Sequence, residues 1–144
     1  EAKMKKLLLG LFLVASVLSF GAQRMQVEKM VMNGDLFYVQ GEQKPYSGEI
    51  EKKYPSGKTL GLSTIKAGKL EGKVYEYYEN GKLEGEIPYN NGVVEGIVKV
   101  YHENGKVNEE ITFKNGKKNG PMKIYDENGN LKRQSNFIDD RQVD

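Results

Sequence analysis

Apolar and polar residues alternate in short runs along most of this chain. Leu83, Ile87 and Tyr89 fall on one side of an extended backbone with Gly85, while Glu84, Glu86 and Pro88 fall on the other. The same order returns with Val107, Ile111 and Phe113 against Asn108, Glu110 and Thr112. A period of two, in runs of about six residues, predicts strands with one greasy and one wet face. The strand before each of these carries Ile50, Val74, Val98 or Met122 in one column. Tyr54 and, one place earlier in their units, Tyr77, Tyr101 and Tyr125 close that strand just before a turn.

Glycine punctuates the runs. Glu-Asn-Gly ends at Gly81, Gly105 and Gly129, and Pro-Ser-Gly ends at Gly57, with the same step each time. The period, about 24 residues, is of the length that marks a repeat architecture. Gly48, Gly72, Gly96 and Gly120 form a second column, and Gly68, Gly92 and Gly116 a third. Asn-Gly between alternating runs is a strong hairpin signal, so the Glu-Asn-Gly positions read as tight turns and Gly-x-x-x-Gly as looser connections. The predicted fold is all-β: an elongated, single-layer antiparallel sheet of repeated hairpins over residues 49–137. Residues 23–48 read as a degenerate capping unit, with a turn at Asn33-Gly34-Asp35 and a strand at Phe37-Tyr38-Val39. Residues 138–144 read as a charged cap that breaks the pattern, because Asp139 and Asp140 stand where the third glycine column would continue. Charge at the end of an open sheet blunts its unpaired edge.

The units Tyr77-x-Glu-Asn-Gly-Lys82, Tyr101-x-Glu-Asn-Gly-Lys106 and Tyr125-x-Glu-Asn-Gly-Asn130, each followed by Gly-x-x-x-Gly or its remnant, resemble the variant MORN repeat of exported bacterial proteins. Lys44-Pro45-Tyr46-Ser47-Gly48 is similar to the opening of that family. The resemblance spans about Gly34 to Phe137. It implies an elongated antiparallel sheet, a non-enzymatic role at a host or partner surface and, through YwqK-like relatives, an alternative role as an antitoxin or immunity protein. The chain has no tryptophan, which the standard eukaryotic repeat carries, so lipid binding is not carried over.

Composition changes the picture at the N-terminus. Lys3, Lys5 and Lys6 precede the apolar run Leu7–Leu18, and Ser19-Phe20-Gly21-Ala22 offers small residues for cleavage, so residues 1–22 read as a signal peptide. That segment holds three of the 22 basic and one of the 20 acidic side chains, which leaves the remainder formally neutral. A neutral chain lacks the positive field expected of a nucleic-acid or anionic-membrane binder. No cysteine is present for disulfides, thiolate chemistry or lipoprotein acylation. The expected location is the periplasm or the medium.

Candidate chemistry is sparse. His102 sits in a turn whose sister positions are Tyr78 and Asp126, which reads as a solvent-facing residue. Ser47, Ser56, Ser63 and Ser135 lack a nucleophile motif. Asp126-Glu-Asn128-Gly-Asn130 departs from a calcium loop, because its glycine comes at the fourth place and Phe137 stands where the closing Glu belongs. No enzyme activity, cofactor or metal is expected. The remaining candidates are the tyrosines, large and amphipathic residues suited to binding. Tyr77, Tyr101 and Tyr125, with Tyr78 and His102 at their edge, form the expected contact strip for a protein or cell-surface component. The segment Glu71–Glu95 is acidic and Gly96–Tyr125 basic, a polarity compatible with head-to-tail self-association.

Overall fold

The computed structural model describes residues 24–143. The signal peptide expected over residues 1–22 lies outside them. Strands β1 (Met25–Gln26), β2 (Met30–Asn33), β3 (Leu36–Val39), β4 (Gly48–Lys53), β5 (Thr59–Lys66), β6 (Lys69–Leu70) and β7 (Gly72–Tyr77) make the first half. Strands β8 (Leu83–Asn90), β9 (Val93–Val94), β10 (Gly96–Tyr101), β11 (Val107–Lys114), β12 (Lys117–Tyr125), β13 (Leu131–Ile138) and β14 (Arg141–Gln142) make the second. A single 3-10 turn, Val27–Lys29, is the one helical element among the described residues.

The order across the main sheet is β1-β4-β5-β7-β8-β10-β11-β12-β13-β14, with β6 paired to β5 and β9 to β8. Each unit contributes one hairpin, and the sequence columns become rows of paired residues: Ile50 faces Ser63, Val74 faces Ile87, Val98 faces Ile111 and Met122 faces Ser135. With two strands per unit at ~4.8 Å each, equivalent residues of successive units lie about 10 Å apart.

The buried face holds Ile50, Ile65, Val74, Ile87, Val98, Val100, Ile111 and Phe113, joined by Leu70 and Val94 from β6 and β9. The leading segment differs from a further unit of the same sheet. β1 runs parallel to β4, through Met25 and Ile50, and β2 pairs with β3 in a separate ribbon turned at Gly34 and Asp35. Phe37 of that ribbon is buried in the core, with Met25, Val27 and Met30 packed against it. The segment therefore covers apolar surface that a bare first hairpin would leave wet.

The two kinds of turn are the reverse of the sequence expectation. At Glu-Asn-Gly, Tyr77 pairs with Leu83, Tyr78 N donates to Lys82 O, and Gly81 N donates to Tyr78 O. Positive φ is confined there to Gly81, at 85°, so Glu79 and Asn80 lie in a type I turn closed by a glycine bulge. The two-residue turns are in the supposedly looser connections. Asn90 pairs with Val93 and Lys114 with Lys117, and both central residues have positive φ: Asn91 50° and Gly92 84°, Asn115 51° and Gly116 78°. These are type I′ turns, whose twist matches that of the flanking strands. The tail continues the rule, since Asp139 and Asp140 take φ of 47° and 69° and join β13 to β14 without a glycine.

Candidate functional site

Strand register builds the wet face from the columns. Reading across the sheet, Glu51, Leu62, Tyr75, Glu86, Lys99, Glu110, Lys123 and Gln134 form one continuous row of paired neighbours. In the later units opposite charges alternate along it. Lys73 Nζ lies 2.7 Å from Glu86, and Lys99 Nζ lies 3.5 Å from Glu110.

Tyr101 and Tyr125 stand over this row and use it. The Tyr101 hydroxyl donates to Glu86 Oε1 at 3.1 Å, and the Tyr125 hydroxyl donates to Glu110 Oε2 at 3.2 Å. Lys73 and then Tyr101 hold the Glu86 carboxyl below its usual range. Partial burial, reinforced by Glu86, pushes the Tyr101 phenol up to about 12, and desolvation with Glu110 raises Tyr125 in the same sense. Both phenols stay protonated at neutral pH and serve as donors.

Tyr77 breaks this rule. Tyr101 and Tyr125 each reach back along the chain to a carboxylate by the same offset, Glu86 for one and Glu110 for the other. The matching offset from Tyr77 lands on Leu62. The Tyr77 hydroxyl consequently has no hydrogen-bond acceptor among the described residues. Two clefts meet at this point, one of about 230 Å³ and one of about 490 Å³, and Leu62 and Tyr77 line both.

Tyr78 and His102 belong to a different device. The Tyr78 hydroxyl donates to Tyr101 O at 2.6 Å, and His102 Nε2 lies 3.1 Å from Tyr125 O. A carbonyl only accepts, so Nε2 of His102 carries the proton. The Tyr54 hydroxyl makes the equivalent bond to Tyr77 O at 2.7 Å. A ring donor thus clasps a carbonyl of the following unit at each junction, and the column is Tyr54, Tyr78 and His102. Grouping Tyr54 with Tyr77 hides it in the sequence, though one full period on from Tyr54 stands Tyr78.

The turns add further clasps. Lys82 Nζ donates to Glu103 O and Lys106 Nζ to Asn128 O, while Asn104 Nδ2 reaches Glu127 O. Glu71 and Glu95 accept the backbone N–H groups of Asn91 and Asn115, the first residues of the type I′ turns. Glu79, Asn80 and Gly81 recur because they shape a bulged turn whose side chains tie it to the next one.

On the opposite face Glu76 is buried, 9% exposed, between Gly61 and Gly85. Burial, with Glu84 adding and Lys52 opposing, pushes its carboxyl up to about 8. The equivalent positions one and two units further on are Val100 and Ile124. Among the described residues no group of three or more His, Asp or Glu converges as a metal site, and no helix is long and apolar enough to cross a membrane.

The model of the MORN repeat variant matches three consecutive stretches, residues 70–91, 94–115 and 118–139. These are the second to fourth hairpins. The first, β4–β5, falls outside the match but has the same register and the same bulge, between Lys52 and Lys53 as between Glu76 and Tyr77. No curated protein and no solved structure matches the chain. The three matched stretches make this a repeat-containing chain.

Proposed function

We propose that this chain is an exported, non-enzymatic repeat protein that binds a protein or cell-surface component through the wet face carrying Tyr77, Tyr101 and Tyr125. The observation that supports the reading is the register. Three tyrosines, one per unit, sit about 10 Å apart on the face that is not needed for the core. Ile97, 51% exposed, adds an apolar contact between Tyr77 and Tyr101 in chain order. Large aromatic side chains backed by fixed partners lose little entropy on contact, which is why such residues anchor interfaces.

The glutamates behind Tyr101 and Tyr125 hold the rings in place, so the face is organised before a partner arrives. Its charges are largely matched within the row, which favours contact through rings and apolar edges over long-range steering. Replacing Tyr77, Tyr101 and Tyr125 together by alanine should reduce capture of a cross-linked partner at least tenfold while the thermal transition persists. Unchanged capture by a folded triple variant would refute the assignment.

A further inference from the structure

We propose that the cleft beside Tyr77 is a saccharide site that takes a neutral pyranose ring. The proposal rests on reading the tyrosine face as a contact surface, and adds a ligand class at one place on it.

The argument begins with the departure of one unit from the others. In the later units the wet row pairs lysine with glutamate, and that glutamate occupies the tyrosine hydroxyl. In the first junction the same two places are Tyr75 and Leu62, paired across β7 and β5. Two charges are thus replaced by an aromatic ring and an apolar floor, and the Tyr77 hydroxyl is released. The result is a concave place on the ladder. Its larger lobe, about 490 Å³ and lined by Leu62 and Tyr77, falls within the ~300–1,000 Å³ usual for small-molecule sites, and Tyr75 lines the adjoining lobe of about 230 Å³.

The charges around the cleft decide the ligand class. Arg24 is bound to Glu49 at 3.0 Å, Lys53 lies 3.7 Å from Glu51, and Lys73 is bound to Glu86 at 2.7 Å. Thr59 also donates to Glu51. An anionic ligand needs spare cations and a cationic one needs spare carboxylates; the lining carboxylates are all engaged, and Lys58 is the one lining cation without an ion pair among the described residues. Apart from that single lysine at the rim of one lobe, what stands open is neutral: the hydroxyls of Tyr75 and Tyr77, two ring faces and Leu62. A ligand that offers hydroxyls on its rim and a flat array of C–H bonds on one side matches this set. The C–H bonds meet the electron-rich faces of the rings, and the ligand's hydroxyls exchange hydrogen bonds with the phenols. A pyranose ring has that shape.

The test uses the full chain and three neutral probes: maltotriose, cellotriose and chitotriose, with trigalacturonate and a tyrosine-free hexapeptide pool as comparators. Ring-proton shifts of Tyr75 and Tyr77 are followed by NMR up to roughly 10 mM ligand, where weak single-site binding is still visible. At least one neutral trisaccharide should shift both rings. Leu62→Glu installs the residue that the sister units already carry and gives Tyr77 an acceptor, so the amide spectrum should stay dispersed while affinity falls at least tenfold. Tyr77→Ala is the second variant, should Leu62→Glu fail to fold, and should show the same loss. The proposal is overturned if no neutral trisaccharide shifts the rings, if only trigalacturonate or the peptides do, or if a folded variant binds as before. Leu62→Glu leaves Tyr101 and Tyr125 untouched. A protein partner captured by an unaltered chain that binds no neutral trisaccharide would refute the saccharide site and leave the broader contact face standing.

Discussion

Replacing Glu76 by glutamine should stabilise the sheet, and by an amount that depends on pH. Glu76 is 9% exposed on the apolar face, has glycines on both neighbouring strands, and its carboxyl has no hydrogen bond or ion pair among the described residues. Burial raises its folded pKa from the ordinary 4.5 to about 8. Between those two values the folded chain holds a proton that the unfolded chain has released, so stability falls as pH rises through the window. The loss accumulates at about 1.4 kcal/mol per pH unit. By pH 8 the gross cost is about 4 kcal/mol, which residual water contact trims to roughly 2–3 kcal/mol. Glutamine keeps the shape and removes the titration. Wild type and Glu76→Gln should therefore melt close together at pH 4.5, and the variant should melt higher at pH 8. The gap should be about 5–10 °C by circular dichroism, given a few degrees per kcal/mol for a domain of this size. A gap that is the same at both pH values, or a variant that melts lower at pH 8, would refute the reasoning.

Two further outcomes test how the units are joined. Gly68 and Gly105 share nearly the same φ, 82° and 85°, but a Cβ on Gly68 would lie 3.0 Å from Cβ atoms of Leu36 and Pro45, while one on Gly105 would meet nothing within 4 Å. Urea midpoints should show about 1 kcal/mol lost for Gly105→Ala from backbone strain alone, and about 2–3 kcal/mol for Gly68→Ala, where crowding adds to it; equal losses would remove the crowding argument. Tyr78→Phe deletes the 2.6 Å bond to Tyr101 O and should cost about 1 kcal/mol. Tyr77→Phe deletes a hydroxyl with no acceptor and should stay within about 0.5 kcal/mol, so the reverse order in chemical denaturation would place the clasp in the wrong column.

The sheet was legible because alternation and column spacing are local and repeated. Val74, Val98 and Met122 announce a buried row without any knowledge of the partner strand. Turn type was not legible in the same way, since Asn-Gly occurs at both ends of the hairpin. What separates the two is register: the turn that joins Tyr77 to Leu83 is the long, bulged one, and the turn that joins Asn90 to Val93 holds only Asn91 and Gly92. The same gap hid the tyrosine partners. That Tyr101 meets Glu86 and Tyr125 meets Glu110 is a fact about neighbouring strands, and it appears in the chain only as a constant offset.

Once that offset is known, the exceptions acquire meaning. An array built from one unit repeats its structural solutions, so a position that serves only the fold should look alike from unit to unit. Ring clasps and turn glycines do. Leu62 beneath Tyr77 and Glu76 among the valines do not, and neither change is required by the strands around it. One opens a hydroxyl and an apolar floor to solvent; the other holds an acid where the two later units hold Val100 and Ile124, at a cost in stability. Both fall at the junction of the first two hairpins. Function in a repeat sheet is to be sought there, where the period is kept by the backbone and abandoned by the side chains.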